Sequence, residues 1–261
     1  MAPGPPARTR EYRNHHLDST RWDGFVVRDD DIVQMIGRCV RILEAAGGTS
    51  GFTKAQALSW LVHLVADLHQ PLHVTTGFFD LTDPQRPVLV REPARAIGKI
   101  NDQGGNRLKL GDDRLHGLWD NCLAARAAGA IDCAGVAPSV LATRITSALE
   151  NPSWRQAHRV DQWIAPGDHH AWPALWAGDS VTVARRAYDG LTFGPRRFEG
   201  SPHEQRLVIP ILAPARSPYL SRHVDDALAQ LAKASVRLGE LLNRIAVRGA
   251  AEGEPSQKNP K

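Results

Sequence analysis

Leu61-Val-His-Leu-Val-Ala-Asp-Leu-His-Gln-Pro-Leu-His73 sets three histidines and an aspartate among mostly apolar residues. The run from Lys54 to His69 has the composition of a helix. Thr53 is placed to cap its start, and Pro71 ends it because proline lacks the N–H that would continue the ladder. On such a helix His63 and Asp67, four apart, project from one face about one turn apart. His69, six after His63, points elsewhere and is read as structural. His73 lies beyond the proline, where the turning chain can bring it back toward Asp67. One histidine on an apolar helix would be an ordinary core residue. Several ligand-type side chains in one run each need a partner of their own, and a carboxylate flanked by imidazoles is a typical zinc environment.

Leu115-His-Gly-Leu-Trp-Asp120 repeats the His-x-x-x-Asp spacing, again among apolar residues. The two pairs predict two helices that each present one His/Asp face, with His73 between them. Converging faces of this kind build a multinuclear zinc site in an all-α protein.

At 261 residues, 42% of them hydrophobic, the chain can bury one sizeable core and nothing compels two. A formal charge of +4 is compatible with a polyanionic substrate, though a solvated basic surface explains it as well. No window approaches the roughly 18 apolar residues that span a bilayer. Met1-Ala-Pro-Gly-Pro-Pro lacks the apolar core of a secretory signal. Cys39, Cys122 and Cys133 allow at most one disulfide, and Cys122 is read as core packing.

Along the chain, residues 1–10 are proline-rich and read as disordered, residues 11–248 as one helical domain, and residues 249–261 as a polar tail. The carboxylates of Asp29-Asp-Asp31 suit a helix start. Ile32, Val33, Ile36, Val40 and Leu43 then follow a helical period up to Gly47-Gly48. Residues 74–101 read as a long irregular loop at the rim of the site, its Arg91 and Arg95 within reach of a phosphate backbone, with a simply solvated loop as the preferred alternative. Asp102-Gln-Gly-Gly-Asn106 reads as a tight turn and Arg107-Leu-Lys-Leu110 as a short extended piece. Further helices are expected over Pro138 to Leu149, Ser153 to Val160, Asp168 to Tyr188 and Tyr219 to Val247, with His169 and His170 as surface residues. Val208-Ile-Pro-Ile-Leu212 is too short and broken to predict a central strand.

His63-x-x-x-Asp67-x-His-Gln-Pro-Leu-His73, Asp102-x-Gly-Gly-Asn106 and Leu115-His-x-x-Trp-Asp120, in that order, resemble the signature of the S1/P1-type zinc nucleases of the phospholipase C/P1 nuclease superfamily. Tyr12-Arg-Asn-His-His-Leu-Asp18, Trp176-Ala-Gly-Asp-Ser180 with Tyr188, and the stretch from Gln230 to Asn243 extend the likeness over most of the chain. The resemblance implies a helical fold and zinc-dependent endonucleolytic hydrolysis of single-stranded RNA and DNA. It also implies cleavage of 3′-nucleotides, with 5′-phosphorylated products and export from the cytoplasm. It assigns His15, His63 and Asp67 to a buried zinc, and His73, His116 and Asp120 to a second. Asp67 is the carboxylate shared with a third zinc and the residue on which catalysis most depends. By the same likeness His16 and Asp18 face a base, a one-residue shift would make His16 the ligand instead of His15, and Asn106 and Asn121 contact phosphate or orient ligands. The family's N-terminal zinc ligands have no counterpart ahead of Tyr12, so one to two zinc ions are expected for this chain rather than three. A non-catalytic zinc-binding relative and a phospholipase C of the same superfamily are the alternatives.

Overall fold

The computed structural model describes residues 31–45, 52–133 and 135–253. The sequence readings at His15, His16 and Asp18 lie outside them.

The described residues begin with α1 (Ile32–Glu44) and α2 (Lys54–His69), followed by a 3₁₀ turn at Pro71–His73. Five short strands come next: β1 (Phe78–Asp80), β2 (Val88–Val90), β3 (Ile100–Asn101), β4 (Leu108–Leu110) and β5 (Asp113–Arg114). One continuous helical stretch then runs through α3 (Leu115–Gly117), a π-helical segment at Leu118–Leu123, and α4 (Ala124–Ala127). After α5 (Pro138–Glu150), α6 (Pro152–Ala157) and α7 (Trp172–Tyr188) come β6 (Thr192–Phe193), β7 (Arg197–Glu199) and β8 (Arg206–Ala213). The chain closes with α8 (Arg216–Gly253). The architecture is mostly helical, as the sequence predicts. No helix among the described residues is long and apolar enough to cross a membrane.

Local chemistry explains where α1 and α2 start. The Asp31 carboxylate accepts from the Gln34 backbone N–H at 2.9 Å, which satisfies a donor that has no partner inside α1. Thr53 and Gln56 form a reciprocal capping box: Thr53 Oγ1 accepts from Gln56 N at 3.2 Å, and Gln56 Oε1 accepts from Thr53 N at 2.9 Å. α2 buries Ala57, Leu61, Val65 and Leu68 against Ile36 and Val40 of α1, Trp176 of α7 and Leu241 of α8. The larger of these side chains contribute about 1.5–3 kcal/mol each. This packing leaves the opposite side of α2, with His63, toward solvent.

Two small sheets were not foreseen. Residues 74–101, read as an irregular loop, hold a three-stranded antiparallel sheet in the order β2-β1-β3, with Phe79 opposite both Leu89 and Ile100. Phe79 is fully buried, so this segment is pinned to the core rather than loose at a rim. Arg91 is engaged with Asp189 at 3.1 Å. The second correction concerns β8, which is the central strand of a five-stranded sheet ordered β5-β4-β8-β6, with β7 also pairing with β8. Pro210 lies within β8, and its carbonyl accepts from Gly194 N at 2.9 Å. The missing N–H affects one side of the strand at one position, and the preceding Val208 and Ile209 are fully buried, Ile209 paired with Leu108 and Val208 with Arg197. Burial outweighs the break in the ladder.

Cys122 packs in the core, as read, and also forms a disulfide with Cys133, while Cys39 is a buried free thiol. His169 and His170, read as surface residues, are largely covered and turn their Nε2 atoms to Glu44, at 2.7 and 3.2 Å.

α7 and α8 are tied together by Asp226, which accepts from Arg186 at 2.6 Å and pairs with His223 Nδ1 at 3.1 Å. Burial alone would raise this carboxyl, but hydrogen bonds from His223 and Arg186 outweigh it and hold the pKa below the usual range. A carboxyl depressed in the folded state contributes stability above its unfolded pKa, near 4, and loses that contribution as pH falls through the folded value. Asp226→Asn should therefore cost about 1–3 kcal/mol at neutral pH, and the deficit should shrink as the pH is lowered below 4. Urea unfolding of both proteins across that range reads it. A deficit independent of pH would reject the charge-based account.

Candidate metal centre

The α2 backbone places His63 and Asp67 on adjacent turns, with His63 Nε2 3.2 Å from Asp67 Oδ2. Pro71 then turns the chain into the 3₁₀ segment, where the Gln70 side-chain oxygen accepts from Leu72 N and shapes the bend. That bend returns His73 to the same face. Its Nδ1 lies 3.6 Å from Asp67 Oδ2 and its Nε2 3.2 Å from Asp120 Oδ1, so one ring spans the two carboxylates.

The second His/Asp pair sits where α3 passes into the π-helical segment. His116 Nε2 is 3.4 Å from Asp120 Oδ2. The wider turn carries Leu118, Trp119, Cys122 and Leu123 into the core while Asp120 remains partly open to solvent. Insertions of this kind are often found at functional sites. His116 Nδ1 meets the Gly104 carbonyl at 2.8 Å, which fixes the ring and the tautomer and leaves Nε2 toward Asp120. The His73 and His116 rings stack with centroids 4.8 Å apart.

The turn at Asp102-Gln-Gly-Gly-Asn106 is what aims His116. Gln103, Gly104 and Gly105 have φ of 56°, 60° and 83°, three consecutive left-handed residues. A Cβ on Gly105 would lie 3.1 Å from Leu72 Cδ1 and 3.2 Å from the His116 backbone nitrogen, so the turn packs against both arms of the site. Asp102 anchors it from beneath. Its carboxylate is fully buried and accepts from Thr76 Oγ1 and Gly77 N at 2.9 Å and from Tyr188 Oη at 2.6 Å.

His73, His116 and Asp120 each turn a ligand atom to a common point, all within 4.8 Å of one another. Two imidazoles and a carboxylate, with His116 held from behind by a carbonyl, fit a divalent ion of the zinc class. Burial alone would lower the His73 pKa, but the hydrogen bond to Asp120 and the charges of Asp67 and Asp120 outweigh it and hold it above the usual imidazole value. Burial would raise Asp120, but hydrogen bonds from His73 and Gln70 pull it below the usual carboxylate range. The His73 shift reflects the negative charge of Asp67 and Asp120 around its ring, and the Asp120 shift favours the ionised carboxylate that a cation needs.

The centre opens into a cavity of about 470 Å³ lined by His63, Asp67, Gln70, His73, Asp120 and Gln230, with Ala124, Ala227, Leu231 and Ala234 as an apolar wall. His69, read as structural, is buried, with Nδ1 2.7 Å from the Val65 carbonyl and Nε2 3.1 Å from Arg237. Burial and the Arg237 charge push its pKa down to about 3, so it is a neutral framework residue. Asn121 Nδ2 donates to its own helix at the Gly117 carbonyl. Asn106 Nδ2 donates to the Gln103 carbonyl and lines a separate cavity beside Arg107, Arg114 and Arg206. Neither asparagine lines the cavity at the metal centre. Sequence reasoning missed Gln70, whose Nε2 donates to Asp120 Oδ1 at 2.7 Å. It stands inside the quoted stretch, but its role depends on the fold bringing Asp120 to it.

A family model described as S1/P1 Nuclease matches residues 10–247. Among relatives, "Endonuclease 2" of Arabidopsis thaliana is 24% identical over 206 residues, covering 77% of this chain and 55% of the relative. "Endonuclease 5" of the same plant is 25% identical over 207 residues, covering 74% of this chain and 52% of the relative. The chain thus spans about half the length of these curated relatives. With most of its residues matched by the family model, and with its paired His/Asp faces converging on one centre, the chain belongs to the S1/P1 nuclease family.

Proposed function

We propose that this chain is a zinc-dependent endonuclease that hydrolyses single-stranded RNA and DNA, and 3′-nucleotides, to 5′-phosphorylated products. The observation that carries this reading is that His63, Asp67, His73 and Asp120 line one cavity with an apolar wall, with His116 joined to them at Asp120. Relatives bearing the name endonuclease support the substrate class.

In this reading His73, His116 and Asp120 hold the tightest zinc, while His63 and Asp67 hold another together with His15. Bound there, zinc would lower the pKa of a water toward neutrality and offset charge on the phosphoryl oxygens. The protein's own groups prepare the ground. Gly104 fixes His116, Gln70 fixes Asp120, and Asp67 orients His63 and His73 from between them. The apolar wall of Ala227, Leu231 and Ala234 suits an unstacked base, which single strands offer and duplexes do not. His16 and Asp18 are assigned to that base, and Asn106 and Asn121 to the phosphate or the ligand frame.

Asp67→Asn keeps the shape and removes the negative charge, so turnover of single-stranded RNA should fall by roughly two to three orders of magnitude. Assays on single-stranded RNA, duplex DNA and phosphatidylcholine vesicles, each with chelator and then with added zinc, test the whole reading. Activity on the single strand that disappears with chelator and returns with zinc is the expected result. Hydrolysis of phosphatidylcholine alone would make the chain a phospholipase, and absence of turnover on all three with zinc retained would make it a non-catalytic relative. Near-normal turnover by Asp67→Asn with unchanged metal content would remove Asp67 from its assigned role.

A further inference from the structure

A second group of ligand-type side chains lies elsewhere in the molecule. Glu44 is the last residue of α1, and His169 and His170 form the 3₁₀ turn that leads into α7. His169 Nε2 lies 2.7 Å from Glu44 Oε1 and His170 Nε2 3.2 Å from Glu44 Oε2, with the two rings stacked at 4.5 Å. One ligand atom from each residue falls within 4.8 Å of the others.

The chemistry of these contacts asks for a cation. The Glu44 side chain is 9% exposed and sits at the C-terminal end of α1, where the helix already presents partial negative charge. A buried carboxylate there needs positive charge in contact with it. The Arg248 guanidinium supplies some, with NH1 3.4 Å from His170 Nε2 and 3.9 Å from Glu44 Oε1. The guanidinium, which can only donate, thus approaches the same two partners, His170 Nε2 and Glu44 Oε1, that a bound cation would take. Arg248 is half exposed on a long stem and can withdraw into solvent.

We infer that Glu44, His169 and His170 form a second divalent-metal site of the zinc class, separate from the catalytic centre, which ties the end of α1 to the start of α7. Two imidazole nitrogens and a carboxylate are a borderline donor set that selects zinc or a neighbouring transition ion over magnesium or calcium. A metal at His169 Nε2 requires the ring proton on Nδ1, which lies 4.0 Å from the Asp168 carboxylate. A cavity of about 350 Å³ beside His169, walled by Glu240, Asn243, Arg244 and Val247 of α8, gives an ion its way in.

The test uses the full chain, stripped with chelator, reloaded with zinc chloride and dialysed, beside His170→Ala, Glu44→Gln and Arg248→Gln. Elemental analysis should show one zinc per chain fewer in His170→Ala and Glu44→Gln than in the unaltered protein, with hydrolysis of single-stranded RNA retained in His170→Ala. Zinc should raise the Tm of the unaltered chain by several degrees more than it raises that of His170→Ala. Arg248→Gln should load at a lower zinc concentration, because its cation no longer competes for the same lone pairs. A hydrogen-bonded cluster without metal predicts equal zinc content in all four proteins and no gain in Arg248→Gln, and that outcome would overturn the inference. If Glu44→Gln does not fold, His170→Ala decides the matter, since its truncated ring lies at the partly exposed edge of the cluster.

Discussion

Asp120→Ala should lower kcat/KM for single-stranded RNA by on the order of 10³ or more, and added zinc should not restore it. Asp120 meets both imidazoles of the candidate centre: Oδ1 lies 3.2 Å from His73 Nε2, and Oδ2 lies 3.4 Å from His116 Nε2. Removing it takes away one of three donors and the only negative charge in that set, and leaves two imidazoles that bind zinc weakly. Gln70→Ala provides the graded comparison. The Gln70 side chain donates to Asp120 at 2.7 Å and is not itself one of the three donors, so its loss should cost about 10- to 100-fold in zinc affinity. High zinc should then return kcat of Gln70→Ala toward the unaltered value, which it cannot do for Asp120→Ala. Equal rescue of both variants would place Asp120 outside the metal set, and normal turnover by Asp120→Ala without rescue would remove the proposed centre altogether.

What could be read in advance was what depends on residues near one another in the chain. Thr53, the helical spacing of Ala57, Leu61, Val65 and Leu68, and Pro71 define α2 within 20 residues or so, and with it the face shared by His63 and Asp67. The repeated His/Asp spacing predicted converging faces, and the family resemblance assigned His73 and His116 to one zinc; the structure brings their rings to 4.8 Å. The strands were hidden for the opposite reason. β8 reads as broken at Pro210, and its place at the centre of a sheet follows only from β4, some 100 residues earlier in the chain, pairing Leu108 with Ile209. The π-helical widening at Leu118–Leu123 has no signature in a His-x-x-x-Asp spacing, which fits an ordinary α-helix equally well. Glu44 and His169 are 125 residues apart, and nothing local to either one announces the other.

Asp102→Ala should destabilise the protein by about 3–5 kcal/mol, a large share of the roughly 5–15 kcal/mol that holds a domain of this kind together. Thr76 Oγ1, Tyr188 Oη and the Gly77 and Gly105 backbone N–H groups all donate to this fully buried carboxylate, and alanine would leave those four donors without an acceptor. The damage should reach the metal centre as well, because the turn that begins at Asp102 carries the Gly104 carbonyl that holds His116. Zinc affinity should therefore fall even where the variant remains folded. Asp102→Asn separates shape from charge. Burial raises the Asp102 pKa by more than the hydrogen bonds from Tyr188, Gly77, Gly105 and Thr76 lower it. An acid whose folded pKa is raised contributes stability fully present below its unfolded value, near 4, and lost as pH rises through the folded value. The asparagine cannot ionise, so its deficit relative to the unaltered chain should be largest near pH 4 and should narrow toward neutrality. Asp226→Asn should behave in the opposite sense, its deficit growing over the same range, so the two variants unfolded side by side in urea control for each other. If the Asp102→Asn deficit widened with rising pH instead, the four donors would outweigh burial, and Asp102 would be a carboxylate that the fold keeps charged.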